Sequence, residues 1–254
     1  MVDCFRILSM NCQGLGDKNK RKDVFAYLRK LSYSIYCLQD THFTVELEKN
    51  IRAEWGYNCF FSCWKSNARG VAILFNNNFE YKVLKEKSDN NGNFLALDLE
   101  IHENKERLSL ITLYAPNGDE PLFFDKITEA INEFSNKQCI ICGDFNLVIN
   151  PILDYDKTYK QINNKKARDR VLEIMENYNL IDVYRQYNPE KRRYTWRRKN
   201  PIKQARLDFF LISENLLSSI EKSNIESGYR SDHAIIDLSL KFNDFQKRDR
   251  FMEV

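Results

Sequence analysis

Short apolar runs alternate with polar punctuation along most of the chain. Phe5 to Asn11 and Ser34 to Leu38 read as strands, and between them Asn19 to Leu31 places Val24, Tyr27, Leu28 and Leu31 at helical spacing. Strand-like runs follow at Tyr57 to Cys63, Gly70 to Phe75, Glu80 to Lys85, Phe94 to Ile101 and Leu108 to Tyr114. Glu120 to Phe134 reads as a helix with Pro121 in its first turn, where a missing N–H costs little. Gln138 to Gly143 has the continuous apolar character of a buried strand, and Lys165 to Tyr178 that of a helix. Leu180 to Tyr184, Tyr194 to Arg197, Arg206 to Ile212 and Ala234 to Phe242 complete the set of strands. Many strands, few helices and no internal repeat predict an α+β domain, with two sheets packed face to face and helices outside. No linker rich in Gly, Ser or Pro divides it. Residues 1–242 therefore form one domain, and the polar tail 243–254 reads as the start of a linker to a further region.

Composition sharpens this picture in three places. An apolar fraction of 43% over 254 residues suffices for a sizeable core. Nothing approaches 18 consecutive apolar residues, and MVDCFRILSM lacks the pattern of a signal peptide, so the expected location is intracellular and away from membranes. The seven cysteines fall in apolar, strand-like contexts, which suits reduced core thiols; Cys59/Cys63 with Cys139/Cys142 lack the Gly and Lys of a zinc knuckle. Net charge is only +3, yet Lys191, Arg192, Arg193, Arg197, Arg198, Lys199, Lys203 and Arg206 face Glu190 alone between Tyr187 and Arg206. This segment is either a solvated loop or a surface for a polyanion.

The candidate chemistry lies at strand ends. Apolar runs terminate in Asn11, in Asp40, in Tyr114 followed by Ala-Pro-Asn117, and in Asp144 with Asn146; Asp208 sits near the start of another strand, and Ser231-Asp232-His233 precedes the last. In an extended chain the spacing of Asp144 and Asn146 points both to one face. Six such ends imply one shared site. Its oxygen ligands, Asp40, Asp232 and Asn11, favour Mg²⁺, with Mn²⁺ as a substitute, and the chain has too few histidines for a three-imidazole zinc centre. Without a Gly-rich phosphate loop, attack by water on a phosphate ester is the expected reaction rather than transfer from ATP.

Met10-Asn11, Leu38-Gln-Asp-Thr-His42, Leu113-Tyr-Ala-Pro-Asn117, Gly143-Asp-Phe-Asn146, Leu207-Asp-Phe-Phe-Leu-Ile212 and Ser231-Asp-His233 resemble, in order, the motifs of the exonuclease–endonuclease–phosphatase superfamily. Within it the chain is similar to the endonuclease domains of LINE-type retrotransposon proteins, from Phe5 to about Leu240. The resemblance implies a four-layer α/β/β/α fold of the DNase I type, with mostly antiparallel sheets. It implies Asp40 as the metal-binding carboxylate, with Asn11 and Asp232 in support, and a departure, because the family has Glu at the position of Asp40. It implies that Tyr114 contacts the scissile phosphate, Asp144 positions or deprotonates the attacking water beside Asn146, and Asp208 holds the imidazole of His233. The implied partners are double-stranded DNA and a covalently linked reverse transcriptase, for an enzyme acting in the nucleus and monomeric as an isolated domain.

The basic segment reads as a hairpin around Arg198 to Gln204, with Asn200-Pro201 as turn signal. In the LINE endonucleases a hairpin here is thought to enter a DNA groove. The expected DNA contacts are Asn117, Thr195, Trp196, Arg197, Arg198, Lys199, Lys203, Arg206 and Ser231. Asp89 to Gly92 is expected to be a hairpin turn only, His42 a structural histidine and His102 a surface residue. An abasic-site repair nuclease or phosphatase of the same superfamily, and a domain that binds DNA without cutting it, are the alternative readings.

Overall fold

The computed structural model describes residues 4–89, 91–101, 106–156 and 164–241. In chain order the elements are β1 (Cys4–Asn11), α1 (Lys18–Leu31), β2 (Ile35–Gln39), α2 (Glu48–Trp55), β3 (Cys59–Ser62), β4 (Val71–Phe75), β5 (Tyr81–Ser88), β6 (Phe94–Ile101), β7 (Glu106–Tyr114), α3 (Leu122–Phe134), β8 (Cys139–Asp144), α4 (Lys165–Asn177), β9 (Leu180–Asp182), α5 (Val183–Tyr187), β10 (Trp196–Arg198), β11 (Lys203–Ala205), β12 (Asp208–Ser213), β13 (Ile220–Glu226) and β14 (Ile235–Lys241).

Two six-stranded sheets, ordered β13-β14-β1-β2-β4-β3 and β5-β6-β7-β8-β12-β9, lie face to face, and β10 and β11 form a separate ribbon. Both sheets are mixed. The pairs β1/β2 and β7/β8 run parallel, and the other pairings are antiparallel. The strand period of two explains the unbroken apolar runs, because each sheet is covered on both faces. Ile35 and Cys37 of β2, and Ile140 and Cys142 of β8, point into the layer between the sheets. Tyr36 and Leu38 face outward and pack with Val24, Phe25 and Leu28 of α1 and with Ile51 and Trp55 of α2. Ile141 of β8 packs on the other outer face with Phe124, Ile127 and Ile131 of α3 and with Val171 and Ile174 of α4. The layers are therefore α/β/β/α.

Two local readings change, at Leu180 to Tyr184 and at Asp89, and two elements, α2 and β13, were not anticipated. Leu180 to Tyr184 is a strand only to Asp182, whose side chain accepts from the Arg185 N–H and starts α5. Helix α2 follows a single turn at Val45–Leu47; its short charged sequence carries only Ile51 and Trp55 as buried residues. β13 buries only Ile220 and Ile225 among polar residues, the weak pattern of an edge strand. Asp89 does more than turn the chain, since its Oδ1 accepts from the N–H groups of Asn93 and Phe94 and from Ser62 Oγ. His102, Asn90 and the tail 243–254 lie outside the described residues.

Gly143 of β8 has φ +134°, and a Cβ added there would come within 2.1 Å of the Leu113 carbonyl oxygen on β7. The parallel pair β7/β8 is thus closed too tightly for any side chain at this point. Gly143→Ala is expected to lower unfolding free energy by about 2 kcal/mol or more, measured by denaturant titration; an unchanged midpoint would show that the strands can part without cost.

Candidate active site

The parallel pairs bring the chemistry to one edge. Asn11 pairs with Gln39 across β1/β2, so the chain leaves both strands together, with Asp40 next. Tyr114 pairs with Asp144 across β7/β8, and Asp208, the first residue of antiparallel β12, pairs with Asp144 from the other side. A cavity of about 390 Å³ opens between these ends, lined by Asn11, Asp40, Tyr114, Asn117, Asp144, Asn146, Asp232 and His233. Asp208 stands behind the imidazole. Sequence reasoning missed Gln13, Tyr155 and Asn164, which also line it. Asn164 Nδ2 donates to the carbonyls of Asn117 and Asn146, a link that no spacing in the chain reveals.

His233 Nδ1 lies 2.9 Å from Asp208 Oδ2, and its Nε2 lies 3.8 Å from Asp144 Oδ2. Burial opposes a charge on the ring, but Asp208 and then Asp144 outweigh it and raise the pKa to about 10. Burial, reinforced by Asp208, in turn raises Asp144 above the ordinary carboxylate range. Asp144 is fixed by two donors, the Asn146 N–H to Oδ1 and Asn11 Nδ2 to Oδ2, each at 2.9 Å. Burial, then Asp40 and Asp144, push the Tyr114 phenol upward, so it keeps its proton and can only donate to an anion at neutral pH. The edge can therefore accept a proton from a water at Asp144 and offer positive charge and an O–H to phosphate oxygens.

Asp40 has φ +49°, and its Oδ1 accepts from the Arg69 N–H at 3.0 Å and lies 3.1 Å from His42 Nε2. Its other oxygen accepts no hydrogen bond among the described residues. Trp196 Nε1 donates to Asp232 Oδ2 at 3.1 Å. Asn11 turns its amide nitrogen to Asp144 and accepts from the Gln13 N–H with Oδ1. The most compact group of potential ligand atoms is Asp144, Asp208 and His233, all within 4.8 Å, but those atoms already face one another. Asp40 and Asp232, with the remaining lone pair of Asn11, give a hard-oxygen donor set at a polar cavity, which fits Mg²⁺ or Mn²⁺.

Two expected DNA contacts are corrected. Arg206 is 1% exposed, and its guanidinium is bidentate to Asp154 (2.9 and 3.1 Å) and to Asp182 (3.0 and 2.5 Å). Asp154 also takes Arg185 at 2.6 Å. Burial works against the charge, yet Asp182 and then Asp154 raise the pKa of Arg206 further. Its acidic partners lie 24 and 52 residues away, out of reach of a local reading. Thr195 is 2% exposed; its hydroxyl accepts from the Leu207 and Asp208 N–H groups and so anchors the start of β12. Ser231 Oγ donates to the Asn11 carbonyl and accepts from the His233 N–H, tying the last loop to β1. Arg197, Arg198 and Lys199 are exposed on the hairpin, and Lys203 is half-buried.

With this geometry in hand, comparison with known proteins is direct. Residues 8–233 match the model of the Endonuclease/Exonuclease/phosphatase family. The chain belongs to that family. It is 30% identical over 243 residues to the "Transposon TX1 uncharacterized 149 kDa protein" of Xenopus laevis, covering 92% of this chain and 18% of that protein. It thus spans less than a fifth of this relative. The match to a transposon protein bears out the likeness to LINE endonucleases. An exodeoxyribonuclease of Bacillus subtilis (strain 168) is 25% identical over 92% of this chain and 98% of its own length. Among solved structures, the AP endonuclease LMAP of Leishmania major superposes with a TM-score of 0.75 at 18% identity, over 94% of this chain and 88% of that one. This likeness agrees with the α/β/β/α layering. Membership of this family supports hydrolysis of phosphate esters as the chemistry of the site.

Removing one partner of the buried Arg206 network leaves an uncompensated charge. Arg206→Ala and Asp154→Ala are each expected to destabilise the fold by about 3–5 kcal/mol in chemical denaturation. A loss below 1 kcal/mol, about the worth of an exposed pair, would place Arg206 back at the surface.

Proposed function

We propose that this protein is a Mg²⁺-dependent DNA endonuclease that nicks one strand and leaves a 3′-hydroxyl and a 5′-phosphate. The observation that carries the reading is the convergence of Asp208, His233 and Asp144 with Tyr114 and Asp40 at one cavity edge. Asp144 takes a proton from a water held beside Asn146, and that water forms the new bond to phosphorus as the bond to O3′ breaks. His233, held cationic by Asp208, stabilises the charge that develops on the phosphate oxygens, and the Tyr114 hydroxyl donates to one of them. The departing O3′ takes up a proton from solvent water and becomes the hydroxyl, and Asp144 returns its proton to solvent. A bound Mg²⁺, held by Asp40 with Asn11 and Asp232, would neutralise charge on the phosphate and the leaving oxygen.

The nick would supply a primer for a reverse transcriptase elsewhere in the same polypeptide, in the nucleus. The transposon relative, of which this chain matches less than a fifth, supports that reading. A second reading is repair at abasic sites, favoured by the 25% identity to a Dictyostelium discoideum DNA-(apurinic or apyrimidinic site) endonuclease over 94% of this chain. Nicking of an intact duplex as fast as of one with an abasic site supports the first reading; cutting confined to the abasic duplex supports the second.

Supercoiled plasmid is expected to become open-circular in Mg²⁺ and to remain supercoiled in EDTA. His233→Ala and Asp144→Ala should each slow nicking by at least about 10²-fold; normal nicking by His233→Ala would sink the mechanism. Asp40→Glu should keep activity at an equal or lower Mg²⁺ requirement, because the longer side chain restores reach to the ion. Asp40→Ala should raise that requirement, and an unaltered Mg²⁺ dependence would remove Asp40 from the metal site.

A further inference from the structure

The β10/β11 hairpin has two working faces. Its backbone is bonded to the catalytic segment, with Arg197 N–H donating to the Asp232 carbonyl (3.2 Å) and Ala234 N–H to the Thr195 carbonyl (2.6 Å). Strand alternation then sends Arg198 to the active-site cavity and Arg197 to the opposite side, where a second groove of about 560 Å³ opens. Arg192, Arg193, Arg197 and Gln204 line this groove, while Trp196, Asp232 and His233 form the wall common to both. The wall is thin. A Cβ on Gly228, which lines the second groove, would come within 1.8 Å of the His233 carbonyl oxygen.

Charge identifies the occupant. Arg192, Arg193 and Arg197 are exposed, and none has an ion-pair partner among the described residues, whereas nearby Arg206 pairs with Asp154 and Asp182, and Arg185 with Asp154. Arg193 reaches only the Ile225 carbonyl at 3.3 Å, and Arg197 gives Nε to Gln204 Oε1 at 2.9 Å, leaving its terminal nitrogens without a partner. Three guanidinium groups along one groove, with Glu226 the acid added beyond the shared wall, suit a row of phosphates. The two walls of either DNA groove are the backbones of opposite strands. A blade whose cavity face meets the cut strand therefore meets the uncut strand on its other face.

We propose that the second groove, on the far side of the hairpin from the cavity, seats phosphates of the uncut strand on Arg192, Arg193 and Arg197. This rests on the nuclease reading for the identity of the cut strand.

The test measures the dissociation constant against salt in EDTA, for a duplex and for the cut strand alone, with wild type and the triple variant Arg192→Gln/Arg193→Gln/Arg197→Gln. Each phosphate contact adds about 0.9 to the slope of log K against log salt, so the variant's slope should be shallower by about 2–3 on duplex. On the single strand it should change by less than about 1. An unchanged slope on duplex, or an equal fall on the single strand, overturns the proposal. Arg197→Cys carrying a photoactivatable aryl azide should attach to the strand that wild type leaves intact; attachment to the nicked strand overturns it as well. If wild type nicks no DNA at any divalent ion, the nuclease reading fails, while the salt slopes still judge the groove by themselves.

Discussion

Everything at the site depends on two parallel strand pairs, one at the centre of each sheet. Parallel neighbours end on the same side, so β1/β2 and β7/β8 deliver Asn11, Asp40, Tyr114 and Asp144 to one rim without any long connecting loop. Packing the sheets face to face then aligns the two rims. The layer between them is dominated by β-branched and leucine side chains, which resist sliding because a shift of one residue would turn every side chain to the wrong face. Positional accuracy at the cavity is thus inherited from the apolar layer. Gly143 marks where the fit is closest.

Electrostatics adds a second order of constraint. The chain buries two charged groups with very different consequences. Asp208, His233 and Asp144 keep their shared charge at the cavity edge, where it can act on a substrate. Arg206 and Arg185 balance Asp154 and Asp182 largely out of solvent, so their charges serve geometry alone. The second group holds the loop from Asn150 to Asp156 against β11, through Arg206 N–H to the Asp154 carbonyl and Asp156 N–H to the Gln204 carbonyl. The base of the hairpin is therefore anchored to this loop by main-chain bonds as well as by the buried ion pairs.

The α/β/β/α layering and most strands were legible because short apolar runs bounded by polar residues encode strands covered on both faces. The cavity was legible because strand ends carry their chemistry in sequence, and ten of the expected residues line it. What escaped depends on contacts between distant segments. Arg206 reads as one more cation in a basic run until Asp154 and Asp182 fold over it, and Thr195 reads as a hairpin residue until the Leu207 and Asp208 amides reach its hydroxyl. Asn164 joins the site by bonding to two loops from the far side of a long connection. β13 and α2 were missed for another reason. They lie at margins of the fold and carry few buried side chains, so the apolar signal is thin.

The hairpin joins an immobile base to a tip, Lys199 to Ile202, whose side chains are exposed. Main-chain bonds at Arg197, Gln204 and Ala234 carry part of the junction, with side-chain bonds of Thr195, Trp196 and Arg206 beside them. Such a joint tolerates a change of sequence above it without disturbing the residues below. The tip can therefore differ in sequence or length without moving the cavity residues that the base of the hairpin holds in place.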